Sequence, residues 1–227
     1  MAFLMSITVH PIKVNKLVFK NCCYLVVHSE IKEAVLIDPA WEMDKIEHQM
    51  QIQRAELKAV LLTHHHIDHI NLAEPFAQKY DVPVRMSKIE VEEYGFSCSN
   101  LVPIEHSESL VFGQLSLWPF FTPGHTKGAI CYFIEGNLFT GDTLFIEGCG
   151  ICTGRGACPS QMFDSLSYLK KTLPQTTRIY PGHSFGKEPG QPLKDLLKNN
   201  IYLQFANRDQ FIAFRMRPHQ KGLFSFR

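Results

Sequence analysis

Residues 63–69 of the chain read THHHIDH and directly follow the apolar run AVLL at residues 59–62. A short, fully apolar run of this kind is typical of a strand buried on both faces. Loops that follow such strands are held by a rigid scaffold, which is where binding and catalytic sites are commonly built. Four side chains of this loop belong to types that bind divalent metal ions: His64, His66, Asp68 and His69. We therefore expect the loop to carry part of a metal site, with His65 outside the ligand set, either behind the ligands or in solvent.

Three further motifs have the same form, in which a turn after a strand-like run presents a histidine or an aspartate. They read TPGHT at residues 122–126, TGD at 140–142 and YPGH at 180–183. These motifs add His125, Asp142 and His183 to the candidate ligands. The glycine before each of the three residues lets the backbone turn sharply at that point.

The candidate ligands are five histidines and two aspartates, with no thiolate among them. Imidazole and carboxylate ligands suit borderline divalent metals, zinc first, with iron or manganese as the alternatives. Seven ligands are too many for one tetrahedral ion and about right for two. The sequence therefore predicts two Zn²⁺ ions per chain.

Composition restricts the class of protein. The 227 residues include 23 Lys and Arg and 22 Asp and Glu, for a net charge of +1, and 45% are hydrophobic. This composition is typical of a globular chain, and we expect a single domain over residues 1–227 with a short helical C-terminal tail from about residue 190. The near-balance of charge disfavours nucleic-acid or membrane partners. Residues 1–5 lack the basic start of a signal peptide, and the seven cysteines are an odd number, so a cytoplasmic location is expected.

Strand-like and helix-like segments alternate along both halves of the chain. Apolar spacing predicts helices over residues 42–54, 68–80 with a kink or a restart at Pro75, 160–173 with Ser160 as the cap, and 192–206. The similarity of the two halves predicts an α/β or α+β fold in which two packed sheets are flanked by helices.

The sequence pattern of the seven candidate ligands resembles that of the metallo-β-lactamase superfamily. The resemblance implies a four-layer αββα sandwich built from two mixed sheets flanked by helices. It also implies that one ion is held by His64, His66 and His125, and the other by Asp68, His69 and His183, with Asp142 bridging the two. Asp38, in the segment LIDP at residues 36–39, matches a position that supports the metal ligands in this superfamily. A turn-forming aspartate before proline is the alternative interpretation of Asp38.

Within the superfamily, GDTLF at residues 141–145 and GCG at 148–150 resemble glyoxalase II, which implies hydrolysis of glutathione thioesters. Ile151 and Thr153 depart from that family, which has a lysine and a tyrosine there to hold glutathione. A narrower resemblance, carried by NCCYL at 21–25 and GCGICTGRG at 148–156, is to the glyoxalase II-like zinc hydrolases of trans-acyltransferase polyketide clusters of the bacillaene type. It implies a cytoplasmic accessory hydrolase that acts on an acyl thioester carried by an acyl carrier protein or by pantetheine.

The expected reaction is hydrolysis of a thioester by a metal-activated water, with Asp68 as the catalytic residue that orients this water. Several alternatives remain open. They are glyoxalase II itself, another hydrolase such as a lactonase or β-lactamase, a di-iron oxygen-reducing protein, a persulfide dioxygenase, a nuclease, and a non-catalytic metal-binding module. His66 argues against the di-iron protein, because that class resembles this pattern with a glutamate at this position. Metal content separates an enzyme from the binding module.

Overall fold

The computed structural model describes residues 6–17, 19–105 and 108–218. Residues 1–5 and the end of the expected C-terminal tail lie outside this part of the chain. In the first half the elements are β1 (Ile7–Lys16), β2 (Phe19–His28), β3 (Glu33–Ile37), α1 (Met43–Gln53), β4 (Glu56–Leu61), α2 (Ile67–Ile70), α3 (Ala73–Tyr80), β5 (Val84–Ser87), α4 (Lys88–Tyr94) and β6 (Leu101–Ile104). In the second half they are β7 (Leu110–Phe112), β8 (Leu115–Phe121), β9 (Ile130–Ile134), β10 (Asn137–Gly141), α5 (Pro159–Thr172), β11 (Arg178–Pro181), β12 (Gln191–Pro192), α6 (Leu193–Asn199), a 3-10 helix (Ile201–Leu203) and α7 (Arg208–Arg215).

The strands form two six-stranded sheets in the orders β1-β2-β3-β4-β5-β6 and β12-β11-β10-β9-β8-β7. In the first sheet β1, β2 and β3 pair antiparallel and β3 to β6 pair parallel. In the second sheet only the β10–β11 pair is parallel. Both sheets are therefore mixed.

Strand β2 illustrates the layering. Tyr24 and Val26 belong to a buried cluster shared with Leu117, Tyr132 and other residues of the second sheet. Cys23, Leu25 and Val27 point the other way, into a cluster with helices α1 and α3. A third cluster joins the far face of the second sheet to helices α5, α6 and α7. Because side chains alternate along a strand, each sheet is covered on both faces, which gives the predicted helix–sheet–sheet–helix sandwich.

Two predicted helices are interrupted at an asparagine. The helix predicted over 68–80 is split into α2 and α3, because Asn71 turns its amide back onto the Ile67 carbonyl (2.6 Å) and accepts from the Trp41 N–H (2.9 Å). Of the two outcomes predicted for Pro75, the restart is observed and the kink is not, since Pro75 lies in the first turn of α3, where its missing N–H has no partner to lose. The helix predicted over 160–173 begins one residue earlier, with Pro159 in its first turn and no side-chain cap from Ser160.

The helix predicted over 192–206 is divided into α6 and a 3-10 helix at Asn200, and α7 follows beyond that range, within the expected helical tail. The Asn200 side chain donates to the carbonyls of Phe145 (3.0 Å) and Gly148 (2.9 Å), which pulls the chain out of helical geometry. Within the described ranges, no helix combines the length and the apolar character that crossing a bilayer requires.

Candidate metal centre

The predicted ligands lie at one edge of the sandwich, each in the segment that follows a strand. The strands concerned are β4 and β8, which precede His64 and His125, and β10 and β11, which precede Asp142 and His183. Backbone bonds fix these ends to one another. The Ile130 N–H donates to the Thr63 carbonyl (2.9 Å) and the Gly182 N–H donates to the Gly141 carbonyl (2.8 Å). The first bond ties the two sheets together at the site.

One group of ligand atoms is formed by His64, His66 and His125, whose nitrogens all lie within 4.8 Å of one another. His66 Nδ1 lies 3.1 Å from His64 Nε2 and 2.9 Å from His125 Nε2. Nitrogens bound to one tetrahedral zinc ion at its usual bond length stand about 3.3 Å apart. The spacing of the three imidazoles is therefore close to that of a zinc site.

Hydrogen bonds on the far side of two rings leave their Nε2 lone pairs facing this group. The Thr63 hydroxyl donates to Asp38 Oδ2 (2.6 Å), so it accepts from the His64 Nδ1–H at 3.0 Å. His125 donates its Nδ1–H to the Ile151 carbonyl (2.8 Å). A metal ligand needs an unprotonated nitrogen, and a partner of this kind fixes which nitrogen that is.

A second group is formed by Asp68, His69 and His183. His183 Nε2 lies 3.4 Å from Asp68 Oδ2, and His69 Nε2 lies 3.9 Å from the same oxygen. The His183 Nδ1–H donates to the Lys20 carbonyl and the His69 Nδ1–H donates to Asp38 Oδ2, both at 2.8 Å. Their Nε2 atoms are again the free ligand atoms.

Asp142 lies between the two groups. Its Oδ1 is 3.4 Å from both His69 Nε2 and His183 Nε2, and its Oδ2 is 3.5 Å from His125 Nε2. The chain approaches closely here, because a Cβ at Gly182 would lie 2.5 Å from His69 and 2.8 Å from Asp142 Oδ1. One carboxylate thus presents an oxygen to each group, as a bridging ligand does.

Asp38 is buried beside both groups. Besides its bonds to the Thr63 hydroxyl and to His69, it accepts from the Thr63 N–H at 2.8 Å. Its backbone has φ of 49°, a left-handed conformation that aspartate and asparagine tolerate better than most residues. These contacts favour the supporting role over that of a simple turn residue.

The environment of the site fits a divalent cation. Among the described residues, His69 Nε2 and Asp142 Oδ1 are buried polar atoms without a hydrogen-bond partner, which is costly unless a ligand such as a metal ion satisfies them. Burial lowers the pKa of His66 to about 4 and lowers the pKa values of His64 and His125, so these rings are neutral at pH 7. Burial opposes the charge of His69 and His183, but the neighbouring Asp142 carboxylate raises the pKa of both rings. The carboxylates of the site, Asp142 among them, therefore stabilise a positive charge placed beside them.

Some residues of the site carried no signal in the sequence. Asn21 donates to Asp68 Oδ2 (3.0 Å) and to the Asp68 carbonyl (2.9 Å), and accepts from the Trp41 indole N–H (3.2 Å). His65 lies behind the ligands rather than in solvent, with its Nδ1 2.7 Å from Glu90 Oε2. Asn21 lies 47 residues from Asp68 and Glu90 lies 25 from His65, so no local pattern could pair them.

Comparison with known proteins identifies several relatives. The model of the metallo-beta-lactamase superfamily matches residues 19–183. The "Probable polyketide biosynthesis zinc-dependent hydrolase BaeB" of Bacillus velezensis is 45% identical, and its counterpart PksB of Bacillus subtilis is 43% identical, each over 96% of this chain and 97% of the relative. A "Probable hydroxyacylglutathione hydrolase" of Schizosaccharomyces pombe is 30% identical over 97% of this chain and 87% of the relative. The three resemblances seen in the sequence, to the superfamily, to the polyketide zinc hydrolases and to glyoxalase II, are therefore confirmed.

Solved structures agree on the fold. A metallo-beta-lactamase from Staphylococcus aureus superposes with a TM-score of 0.83 over 94% of this chain and 68% of that one, at 22% identity. TTHA1623 in a di-iron-bound form superposes with a TM-score of 0.71 over 86% of this chain and all of that one, at 28% identity. The αββα sandwich predicted from the sequence is thereby confirmed. From the matched segment, the full-length relatives and the fold, we conclude that the chain belongs to the metallo-β-lactamase superfamily.

Proposed function

We propose that this protein is a zinc-dependent hydrolase of polyketide biosynthesis that cleaves an acyl thioester. The observation that carries the proposal is the arrangement of the ligands, in which two adjacent groups of imidazole and carboxylate atoms share Asp142. The names of the two relatives at 45% and 43% identity support both the metal and the biosynthetic setting. The name of the hydroxyacylglutathione hydrolase supports a thioester as the bond that is cleaved.

Two ions fit the residues present. His64, His66 and His125 would hold one zinc ion, Asp68, His69 and His183 the other, and Asp142 both. When bound, the pair lowers the pKa of water towards 7 and polarises a carbonyl oxygen. The ligand set is also compatible with iron or manganese.

The protein's own contribution to the reaction is orientation. Asp68 is held by the Asn21 amide, which donates to its Oδ2 at 3.0 Å and to its backbone carbonyl at 2.9 Å. A carboxylate fixed in this way accepts a hydrogen bond from the attacking water and orients its lone pair towards the substrate carbonyl. The leaving thiolate has a conjugate-acid pKa of about 8.5, so it departs without a dedicated acid.

The rim of the site favours pantetheine over glutathione as the thiol carrier. The backbone carbonyl of Ile151 accepts a hydrogen bond from the ligand His125, and the residue is 40% exposed. An apolar side chain at this place provides no charge for the carboxylates of glutathione, whereas the pantetheine arm of an acyl carrier protein is neutral next to its thiol. The expected cytoplasmic location is supported by the cysteines, since all seven are free thiols.

The test is release of free thiol by the zinc-loaded protein from two thioesters that share one acyl group. One thioester is carried by an acyl carrier protein and the other by glutathione. Faster release from the carrier protein supports the proposal, and the variant Ile151→Lys should then shift the ratio of rates towards glutathione. Faster release from glutathione identifies the protein as a glyoxalase II. If two zinc ions are bound but neither thioester is cleaved, the proposed thioesterase activity is wrong and another hydrolase, such as a lactonase or β-lactamase, is the better interpretation.

A further inference from the structure

Helix α4 lies against the two loops that provide the first group of ligands. The β4 loop (residues 62–66) carries His64 and His66, and the β8 loop (residues 122–129) carries His125. Helix α4 contributes none of the seven candidate ligands. Two of its side chains, Glu90 and Tyr94, nevertheless contact both loops.

Glu90 joins the loops through the two oxygens of one carboxylate. Its Oε2 accepts from the His65 N–H (3.0 Å) and lies 2.7 Å from His65 Nδ1, while its Oε1 accepts from the Gly128 N–H (2.8 Å). The Glu90 side chain is fully buried. A buried carboxylate is costly unless hydrogen bonds compensate it, and here the donors come from the ligand-bearing loops. His65 stands directly between two ligands, and Gly128 is three residues beyond the third.

Tyr94 acts on the same two loops, one helical turn after Glu90. Its ring stacks on His65, with centroids 3.6 Å apart and planes inclined by 9°. Its hydroxyl accepts from the Lys127 N–H at 3.0 Å and lies 3.0 Å from the Arg155 carbonyl, to which it donates. Residues four apart share one face of a helix, so a single face of α4 holds both loops.

The contact between α4 and the β8 loop is too close for a side chain. A Cβ at Gly128 would lie 2.7 Å from the Glu90 backbone nitrogen and 2.8 Å from the Ile89 Cβ. Real Cβ atoms do not approach other atoms so closely, so glycine is required here. The loop is therefore held directly against the helix backbone, at the point where Glu90 binds it.

We propose that Glu90 is a positioning residue for the first metal ion, assisted by Tyr94. The proposal rests on the two-ion site proposed above. It also makes a distinction between the ions, because the second group has different supports. Those supports are Asp38, Asn21 and the Lys20 carbonyl, all outside α4. Loss of Glu90 should therefore lower the affinity for the first ion and leave the affinity for the second unchanged.

The test is the variant Glu90→Gln, with zinc affinity measured by competition with a chelator. In glutamine one carboxylate oxygen is replaced by an amide nitrogen, which donates hydrogen bonds but cannot accept them. That nitrogen faces either the Gly128 N–H or the two donors of His65, so the bonds to one of the loops are lost. Loss of a partner bonded directly to a metal ligand typically costs roughly tenfold to a hundredfold in affinity. Glu90 bonds to residues beside the ligands, so we expect the lower end of that range, about tenfold, for the first ion and less than about a threefold change for the second. The variants His125→Ala and His183→Ala, which each remove one ligand, assign the two binding steps, and Co²⁺ absorption spectra provide a readout independent of turnover.

The matched control is Glu92→Gln, the same substitution on the same helix at a side chain that is 67% exposed. It should leave both affinities unchanged. Equal weakening of both ions by Glu90→Gln, or no change in either, would show that Glu90 has only a general structural role. A wild-type protein that binds fewer than two ions contradicts the proposed function as well, so the two failures are distinguishable.

The variant Tyr94→Phe decides the question if Glu90→Gln does not fold. It keeps the ring on His65 and removes the hydroxyl, with the bond that it accepts from the Lys127 N–H and the bond that it donates to the Arg155 carbonyl. Each such bond corresponds to a roughly two- to tenfold effect. A selective decrease in affinity for the first ion supports the proposal, and an unselective decrease or none contradicts it.

Discussion

At the scale of single residues, the carboxylate of Asp38 orients two imidazoles at once. It accepts directly from His69 and reaches His64 through the Thr63 hydroxyl. In the proposed arrangement these two rings hold different ions, and their ligand atoms also lie together with Asp142. Asp38 therefore differs from Glu90, whose contacts concern the first group alone.

We predict that Asp38→Asn lowers the affinity for both zinc ions by roughly tenfold to a hundredfold. Asparagine tolerates the left-handed backbone at this position, so the substitution removes one accepting oxygen without straining the chain. Chelator competition measures the effect. Asp81→Asn is the control, because Asp81 is exposed and also has φ of 49°. Unchanged affinity in Asp38→Asn would mean that Asp38 is only a turn residue.

We predict that Asp68→Ala loses most turnover, by about 10²-fold or more, because both a ligand and the group that orients water are removed. Thiol release at saturating zinc measures the loss. Asp44→Ala, at an exposed aspartate of helix α1, serves as the control and should retain full activity. An Asp68→Ala variant with undiminished activity would end the catalytic assignment of this residue.

All seven candidate ligands could be chosen from the sequence because each follows a strand-like run and its residue type matches metal chemistry. The residues that hold these ligands in place could not be chosen from the sequence. Asn21 and Glu90 are ordinary polar residues whose partners are far away in the chain, and only the packed structure brings them together. The assignment of ligands to two ions stays a prediction until metal is measured.

At the scale of elements, local periodicity predicted helices well where packing alone decides them. Helix α1, predicted over residues 42–54, is observed at Met43–Gln53 with Ile46 and Met50 buried. The prediction from periodicity was wrong where a buried asparagine donates to carbonyls far away in the chain. Asn200, which is fully buried, ends α6 because its amide is committed to Phe145 and Gly148.

We predict that Asn200→Ala destabilises the protein by about 1–3 kcal/mol, because it removes the two hydrogen bonds that the buried amide donates to the 145–148 segment and the one that its Oδ1 accepts from the Tyr202 N–H. Urea unfolding measures the free energy. Asn199→Ala is the neighbouring control, since Asn199 is exposed and bonds only within its own helix. Equal effects of the two substitutions would contradict the role of Asn200 as a link between α6 and the 145–148 segment.

At the scale of the whole molecule, the metal site lies across the boundary between the sheets. His64, His66, Asp68 and His69 follow a strand of the first sheet, whereas His125, Asp142 and His183 follow strands of the second. Each proposed ion therefore takes ligands from both sheets. Bound metal should act as a cross-link that stabilises the sandwich.

We predict that removal of zinc with a chelator lowers Tm by roughly 5–10 °C per ion, as follows from binding to the folded state alone. Differential scanning calorimetry measures the shift. Added Zn²⁺ should restore Tm, whereas Mg²⁺, which prefers oxygen ligands, should not. A metal-free protein with unchanged Tm would show that the ions do not join the sheets.

The bond between His183 and the Lys20 carbonyl spans 163 residues of the chain. During translation, at about 5–20 residues per second, strand β2 waits roughly 8–30 s for this histidine to be made. The three histidines of the first group are already complete at residue 125. All three histidines of the first group are therefore made before the last residue of the second group, His183. The second group of ligand atoms is complete only when nearly the whole sandwich has been synthesised.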